Sequence, residues 1–126
     1  MTVVLCEEET FTTTGAGATY VARPVGPVLD GLGPYIQDIV VHAYGRAFST
    51  GFGYKVTAER SYDGETWTPF SADLLSAQTA TGYRPLSAYS TRGDFGLMIR
   101  FKVEVNDGGA KEIGTLSITV AIRLWA

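Results

Sequence analysis

Three stretches of the chain alternate apolar and polar residues with a period of two. In the last of them Leu116, Ile118, Val120, Ile122 and Leu124 alternate with Ser117, Thr119, Ala121, Arg123 and Trp125. Before it, Leu97, Ile99, Phe101, Val103 and Val105 alternate with Met98, Arg100, Lys102 and Glu104, and upstream Tyr54, Val56 and Ala58 alternate with Lys55, Thr57 and Glu59. Successive side chains of a strand point to opposite faces, so each stretch predicts a strand with one face on a core. The Gly-containing run Asn106–Lys111 between the last two predicts an antiparallel hairpin. Tyr35–Tyr44 reads as a further long strand, apolar enough to be central. Shorter strands are predicted at Val3–Cys6, Thr10–Thr13, Thr19–Ala22 and Tyr83–Tyr89. Ser71–Gln78 is the best helix candidate, a turn or two in length, and reads equally well as a loop. About eight strands separated by Gly, Pro, Asp and Ser turns make an all-β chain, a single antiparallel β-sandwich, with the jelly roll among its candidate topologies.

Two stretches break the alternation. Arg23–Pro34 carries three of the five prolines and three glycines, which predicts a long loop or an extended arm. One domain over residues 1–126 is therefore expected, with such an arm or loop inside 1–34. Gly45–Gly53 is a glycine-rich turn whose Phe48 and Phe52 are either buried beneath it or offered to a partner.

Composition narrows the function. At 126 residues the chain suits one domain, and 45% hydrophobic with 12% aromatic residues exclude intrinsic disorder. No apolar run approaches the roughly 18 residues of a membrane-spanning helix, so no membrane partner is expected. A net charge of -3 and scattered arginines argue against nucleic acid, whose phosphates are neutralised by clustered Lys and Arg. Cys6 is the sole cysteine, which excludes an internal disulfide and suits a reducing cytoplasm; after Val3, Val4 and Leu5 it is expected to be a buried strand residue. The N-terminal stretch lacks the basic and apolar regions of a secretory signal, so export by the ordinary secretory route is not expected.

Catalytic constellations are missing. A Ser-His-Asp triad would have to use His42, the only histidine, which shares a strand face with Val40 and Tyr44 and is expected to be hydrogen-bonded and partly buried. There is no Gly-x-Ser-x-Gly, His-Glu-x-x-His or Cys-x-x-Cys pattern, and one His with one Cys cannot hold zinc. Glu7–Glu9 reads as a solvated turn. Asp63, Glu65 and Asp107 do not have the spacing of a calcium loop, and Gly15–Ala16–Gly17 reads as a hairpin turn. Neither catalytic residues, nor a metal, nor a cofactor is expected.

The most specific local pattern is Ser61-Tyr62-Asp63-Gly64-Glu65-Thr66-Trp67. Asp-Gly supplies a tight turn, with Gly64 accepting positive φ, Asp63 bonding nearby N–H groups and Ser61 beginning the motif. Trp67 is expected to cap the edge of the core, so that its removal would cost about 3 kcal/mol.

This S-x-D-G-x-x-W hairpin resembles one in small structural proteins of tailed bacteriophages, followed by an apolar-Arg-apolar strand such as Met98–Val103 and a Gly-Thr-rich final strand such as Gly114–Val120. It is similar, less closely, to the turn of discoidin-like carbohydrate-binding domains. The resemblance implies a non-enzymatic virion protein, a capsid decoration or head or tail accessory protein. Its partners would be the major capsid or another virion protein and neighbouring copies, in a homo-oligomer for which a trimer is expected. Trp125, Phe48, Phe52, Arg46 and Arg123 are the expected interface residues, since aromatics and arginine favour interfaces. The alternative is a carbohydrate-binding module in which Trp125, Tyr44, Phe48 and Phe52 form a stacking platform.

Overall fold

A computed structural model describes residues 1–15, 21–85 and 88–125. The strands are β1 (Thr2–Thr12), β2 (Val21–Pro24), β3 (Leu29–Asp30), β4 (Ile36–Arg46), β5 (Gly53–Ser61), β6 (Thr68–Pro69), β7 (Leu75–Gln78), β8 (Gly82–Pro85), β9 (Met98–Asn106) and β10 (Ile113–Leu124). Among the described residues helical geometry is confined to the 3-10 turns Gly33–Tyr35 and Arg92–Asp94. The helix candidate Ser71–Gln78 ends instead in β7, which pairs with β5.

The strands form two antiparallel sheets. The first has the order β1-β10-β4-β8, the second β2-β9-β5-β6, with β3 also on β9 and β7 also on β5. Because β5 takes the other edge of β9, β2 and β3 share one strand position; β6 and β7 share one beside β5. Eight positions result, and they nest: first with last (β1·β10), second with seventh (β2/β3·β9), third with sixth (β4·β8), fourth with fifth (β5·β6/β7). This is a long hairpin rolled up on itself, the jelly roll.

The period-two stretches place their side chains as predicted, except that Leu97, expected on the core face, precedes β9 and is exposed. Val41 and Ala43 of β4 and Leu116, Ile118, Val120 and Ile122 of β10 face Val56 and Ala58 of β5 and Ile99, Phe101, Val103 and Val105 of β9, all buried. The expected β9–β10 hairpin does not form. β9 lies in the second sheet and β10 in the first, so the connection after Asn106 crosses between sheets. Hydrogen bonds from Gly15 N and Gly109 N to the Asp107 carboxylate, at 2.9 and 3.0 Å, hold the crossing. Alternation tells which face of a strand is buried but not which strand lies beside it.

Three further expectations are corrected near the N-terminus. The short strands Val3–Cys6 and Thr10–Thr13 are one strand of 11 residues, with Glu7–Glu9 inside it rather than in a turn. β1 is a sheet edge, where charge is tolerated and discourages pairing with another edge. Leu5 and Phe11 take the buried positions, so Cys6 points outward and is exposed. Arg23–Pro34 is no free arm: Val25 is fully buried and donates to Phe101 O at 2.9 Å, while β3 pairs with β9. Residues 16–20, which include most of the expected Gly15–Gly17 turn and the start of the Thr19–Ala22 strand, lie outside the described residues. The expected Tyr83–Tyr89 strand is represented by β8 and by a Tyr89 bridge to Ile39, with residues 86–87 outside the described residues.

Candidate functional site

The Ser61–Trp67 turn joins β5 to β6, the one pair of strands among those described that are neighbours in both chain and sheet. Ser61 Oγ donates to Asp63 Oδ1 at 3.0 Å and accepts from Gly64 N at 2.8 Å. Asp63 Oδ1 also accepts from Glu65 N and Thr66 N, each at 2.8 Å, and Gly64 has φ +80°. Those backbone donors, with the Ser61 hydroxyl, hold the exposed Asp63 carboxyl down at a pKa of about 2. The motif is thus a hairpin lock. Trp67, however, is outside the core: its half-exposed ring lies under the Arg100 guanidinium, 4.0 Å from the ring centre, on the outer face of the second sheet. Phe70, three residues on, takes the core position instead. Trp67→Ala is accordingly expected to cost about 1 kcal/mol, the scale of an exposed cation–π contact with some lost packing, well short of a core aromatic. Urea unfolding of the variant measures this, and a loss of 3 kcal/mol would contradict it.

The two outer faces differ in chemistry. On the second sheet Lys55 pairs with Glu104 at 3.7 Å, Lys102 with Glu59 at 3.5 Å, and Arg100 with Glu59 at 3.0 Å. A cleft of about 400 Å³ lies beside this ladder, lined by Arg23, Pro24, Val28, Glu59, Arg100 and Lys102. Its cations are already matched by Glu9, Glu59 and Glu104, so it offers an anion no surplus charge. This is a solvated face.

The first sheet presents something else. Its central strand β10 turns Ile113, Thr115, Ser117, Thr119 and Ala121 outward. Val4 and Cys6 of β1 flank them on one side, and Val40, His42 and Tyr44 of β4 on the other. Val4, Tyr44, Tyr83 and Ile113 are between 46% and 56% exposed, whereas no large hydrophobic residue on β5 or β9 is exposed. Its charges are paired: Asp38 with Arg123 at one end, whose Nε donates at 2.6 Å, and Glu8, in the row next to Cys6–Thr119–His42, with Arg46 at 3.3 Å.

No reactive pair is assembled on this face. His42, partly buried as expected, hydrogen-bonds the Tyr83 hydroxyl through Nδ1, and Cys6 Sγ lies 3.8 Å from Thr119 Oγ1. Cys6 and His42 sit in one cross-strand row but flank Thr119, roughly 10 Å apart at about 4.8 Å per strand. Among the described residues no three His, Cys, Asp or Glu side chains come together to hold a metal ion.

The expected interface residues divide between opposite ends of the first sheet. Arg123 and Trp125 lie at one end, where Trp125 is 52% exposed, donates its backbone N–H to Tyr35 O at 2.9 Å and has Arg92 over its ring at 5.6 Å. Arg46, Phe48 and Phe52 lie at the other, about 27 Å away along β10 at about 3.4 Å per residue. Phe52 is fully buried and offers no surface, a correction to its expected role. Its ring packs on Phe48 at 4.6 Å and occupies space that glycine leaves: a Cβ on Gly114 would stand 2.7 Å from it. Phe48 is half-buried in the same cluster. Trp125, Tyr44, Phe48 and Phe52 therefore form no common stacking platform for a sugar.

A buried polar cluster escaped the sequence reading. Asp94, 6% exposed, accepts from Ser71 Oγ at 2.7 Å, Ser71 N at 3.1 Å, Arg60 Nη1 at 3.2 Å and the Tyr89 hydroxyl. It ties the turn before β9 to the segment after β6 and to β5. Three separate segments contribute, so no spacing along the chain announces it.

The nested strand order defines the class, a jelly-roll domain, an architecture that serves in viral capsids and lectins. No family model and no curated protein matches the chain. Solved structures share its fold. A chain in the structure of infectious bursal disease virus, Gx strain, superposes with a TM-score of 0.65 over 98% of this chain at 11% identity. The Gt strain of that virus gives 0.54 over 100% at 12% identity, and the VP2 subviral particle of the virus 0.50 over 92% at 13%. This chain spans 32%, 38% and 33% of those chains, about a third of their length.

Proposed function

We propose that the chain is a non-enzymatic structural protein of a virion, a capsid decoration or head or tail accessory protein of a tailed bacteriophage. In this reading it is made in the host cytoplasm, docks on an assembled shell and contacts neighbouring copies of itself. The observation that carries the reading is the inequality of the two outer faces: one a solvated ion-pair ladder, the other broad, with its few charges paired, and studded with exposed Tyr, Val and Ile. Exposed apolar patches of this breadth mark protein–protein contact. The virion setting is supported by the jelly roll, which this chain has in common with a viral particle, and by the phage-like Ser61–Trp67 hairpin with its following strands.

Binding tests the reading. Purified chain added to particles stripped of it is expected to rebind saturably. Absence of saturable binding by the unaltered chain would overturn the reading.

A further inference from the structure

We propose that the outer face of the first sheet is a contact between two copies of this chain, stacked face to face about a two-fold axis that runs along the row Cys6–Thr119–His42. Charge selects a second copy as the occupant. The chain carries a net charge of -3, so two copies repel unless they meet where charge is balanced. On this face the two carboxylates and two arginines cancel, which removes any gain from a strongly acidic or basic partner.

The placement of those charges is also self-complementary. An axis perpendicular to the strands turns the second copy end for end. The row of Arg123 and Asp38 then lies over the row of Thr115 and Arg46, next to Glu8. Arg46 of each copy meets the Asp38 end of the other, and Arg123 comes within reach of the other's Glu8. Between the ends Val40 lies opposite Tyr44, and Thr119 opposite itself. The small side chains along β10 let the two sheets approach to the roughly 10 Å of packed β-sheets.

Size agrees. Three long strands at about 4.8 Å, by the length of β1 at about 3.4 Å per residue, give about 14 by 34 Å, and the four residues of β8 bring the face to about 550 Å² in projection. Side-chain relief brings this to the roughly 600 Å² per partner at the lower end of stable complexes. An isologous contact of this kind closes at two copies.

The proposal deepens the self-association in the preceding reading and rests on it, but not on the virion setting. Light scattering behind a sizing column is expected to give twice the chain mass of 13.5 kDa. Thr119→Arg, at the centre of the face, is expected to give a single-chain mass with an unchanged circular dichroism spectrum and a melting temperature that no longer varies with protein concentration, while Thr57→Arg on the second sheet leaves the double mass. Independently of any variant, a short bismaleimide is expected to join the unaltered chain through Cys6 into a covalent pair. A single-chain or triple mass for the unaltered protein overturns the proposal, as does a double mass for Thr119→Arg or failure to cross-link. A single-chain mass together with saturable rebinding to particles would remove the stacking and leave the virion reading in place.

Discussion

Gly33→Ala is expected to lower stability by about 3 kcal/mol or more, at the upper end of what overpacking costs. Gly33 is buried in the 3-10 turn before β4, and an added Cβ would overlap the carbonyl oxygen of Gly96. The obstacle is backbone, which cannot rotate away as the end of a long side chain can. The loop before β4 would have to part from the loop before β9, to which Gly31 N is bonded through Leu97 O at 3.0 Å. A melting temperature lower by about 10 °C or more should result for a domain of this size. Gly93→Ala is the control, since nothing lies within 4 Å of its Cβ position, and it should shift stability by less than about 0.5 kcal/mol. A Gly33→Ala protein that melts with the unaltered chain would mean that the two loops do not touch.

Asp94→Ala is expected to cost about 2 kcal/mol, because it removes the one buried acceptor on which Arg60, Ser71 and Tyr89 converge. The Ser71 N–H and hydroxyl and the Tyr89 hydroxyl would lose the carboxylate, and Arg60 would keep only its 3.4 Å bond to Asp94 O. Burial disfavours the ionised carboxylate, but the hydrogen bonds from Tyr89 and Ser71 and the charge of Arg60 outweigh it and hold the Asp94 pKa below the ordinary 3.8. A carboxyl whose pKa falls on folding stabilises the fold fully above its unfolded value and loses that contribution as pH drops through the folded one. Asp63, held at about 2, acts in the same direction. Stability of the unaltered chain should therefore decline as pH falls below about 4. Asp94→Asn should decline less steeply. Urea midpoints at pH 7 and pH 3 measure both effects, and parallel losses in the two proteins would contradict the assigned role of Asp94.

Period-two alternation makes the inward faces of β5, β9 and β10 legible in the amino-acid sequence, because burial of one face is a local property of a strand. Strand order is not legible on the same evidence. A jelly roll pairs the ends of the chain with each other, so β9 and β10, adjacent in sequence and similar in pattern, part into different sheets. The tip of the roll is the exception: there the paired strands are sequence neighbours, and Ser61–Trp67 carries its turn chemistry openly. Cys6 differs from its expected place by one residue of register, which in a strand reverses the face. Phe52 belongs to the interior because Gly114 leaves room for its ring, and that proximity is a product of folding. Asp94 and its partners come from three segments and leave no mark along the chain. The uncharged face of the first sheet is half visible: Thr115, Ser117, Thr119 and Ala121 alternate with the core residues of β10, but their company with Val4, Val40 and Tyr44 is a product of pairing.

The central claim is that this chain is a built-in component of a virion. Its copy number in particles purified through a density gradient, measured by quantitative mass spectrometry against the major shell protein, tests that claim most directly. A fixed ratio that persists through repeated banding is the expected result. Loss of the chain from the banded particles, or a ratio that varies from one preparation to the next, would contradict it.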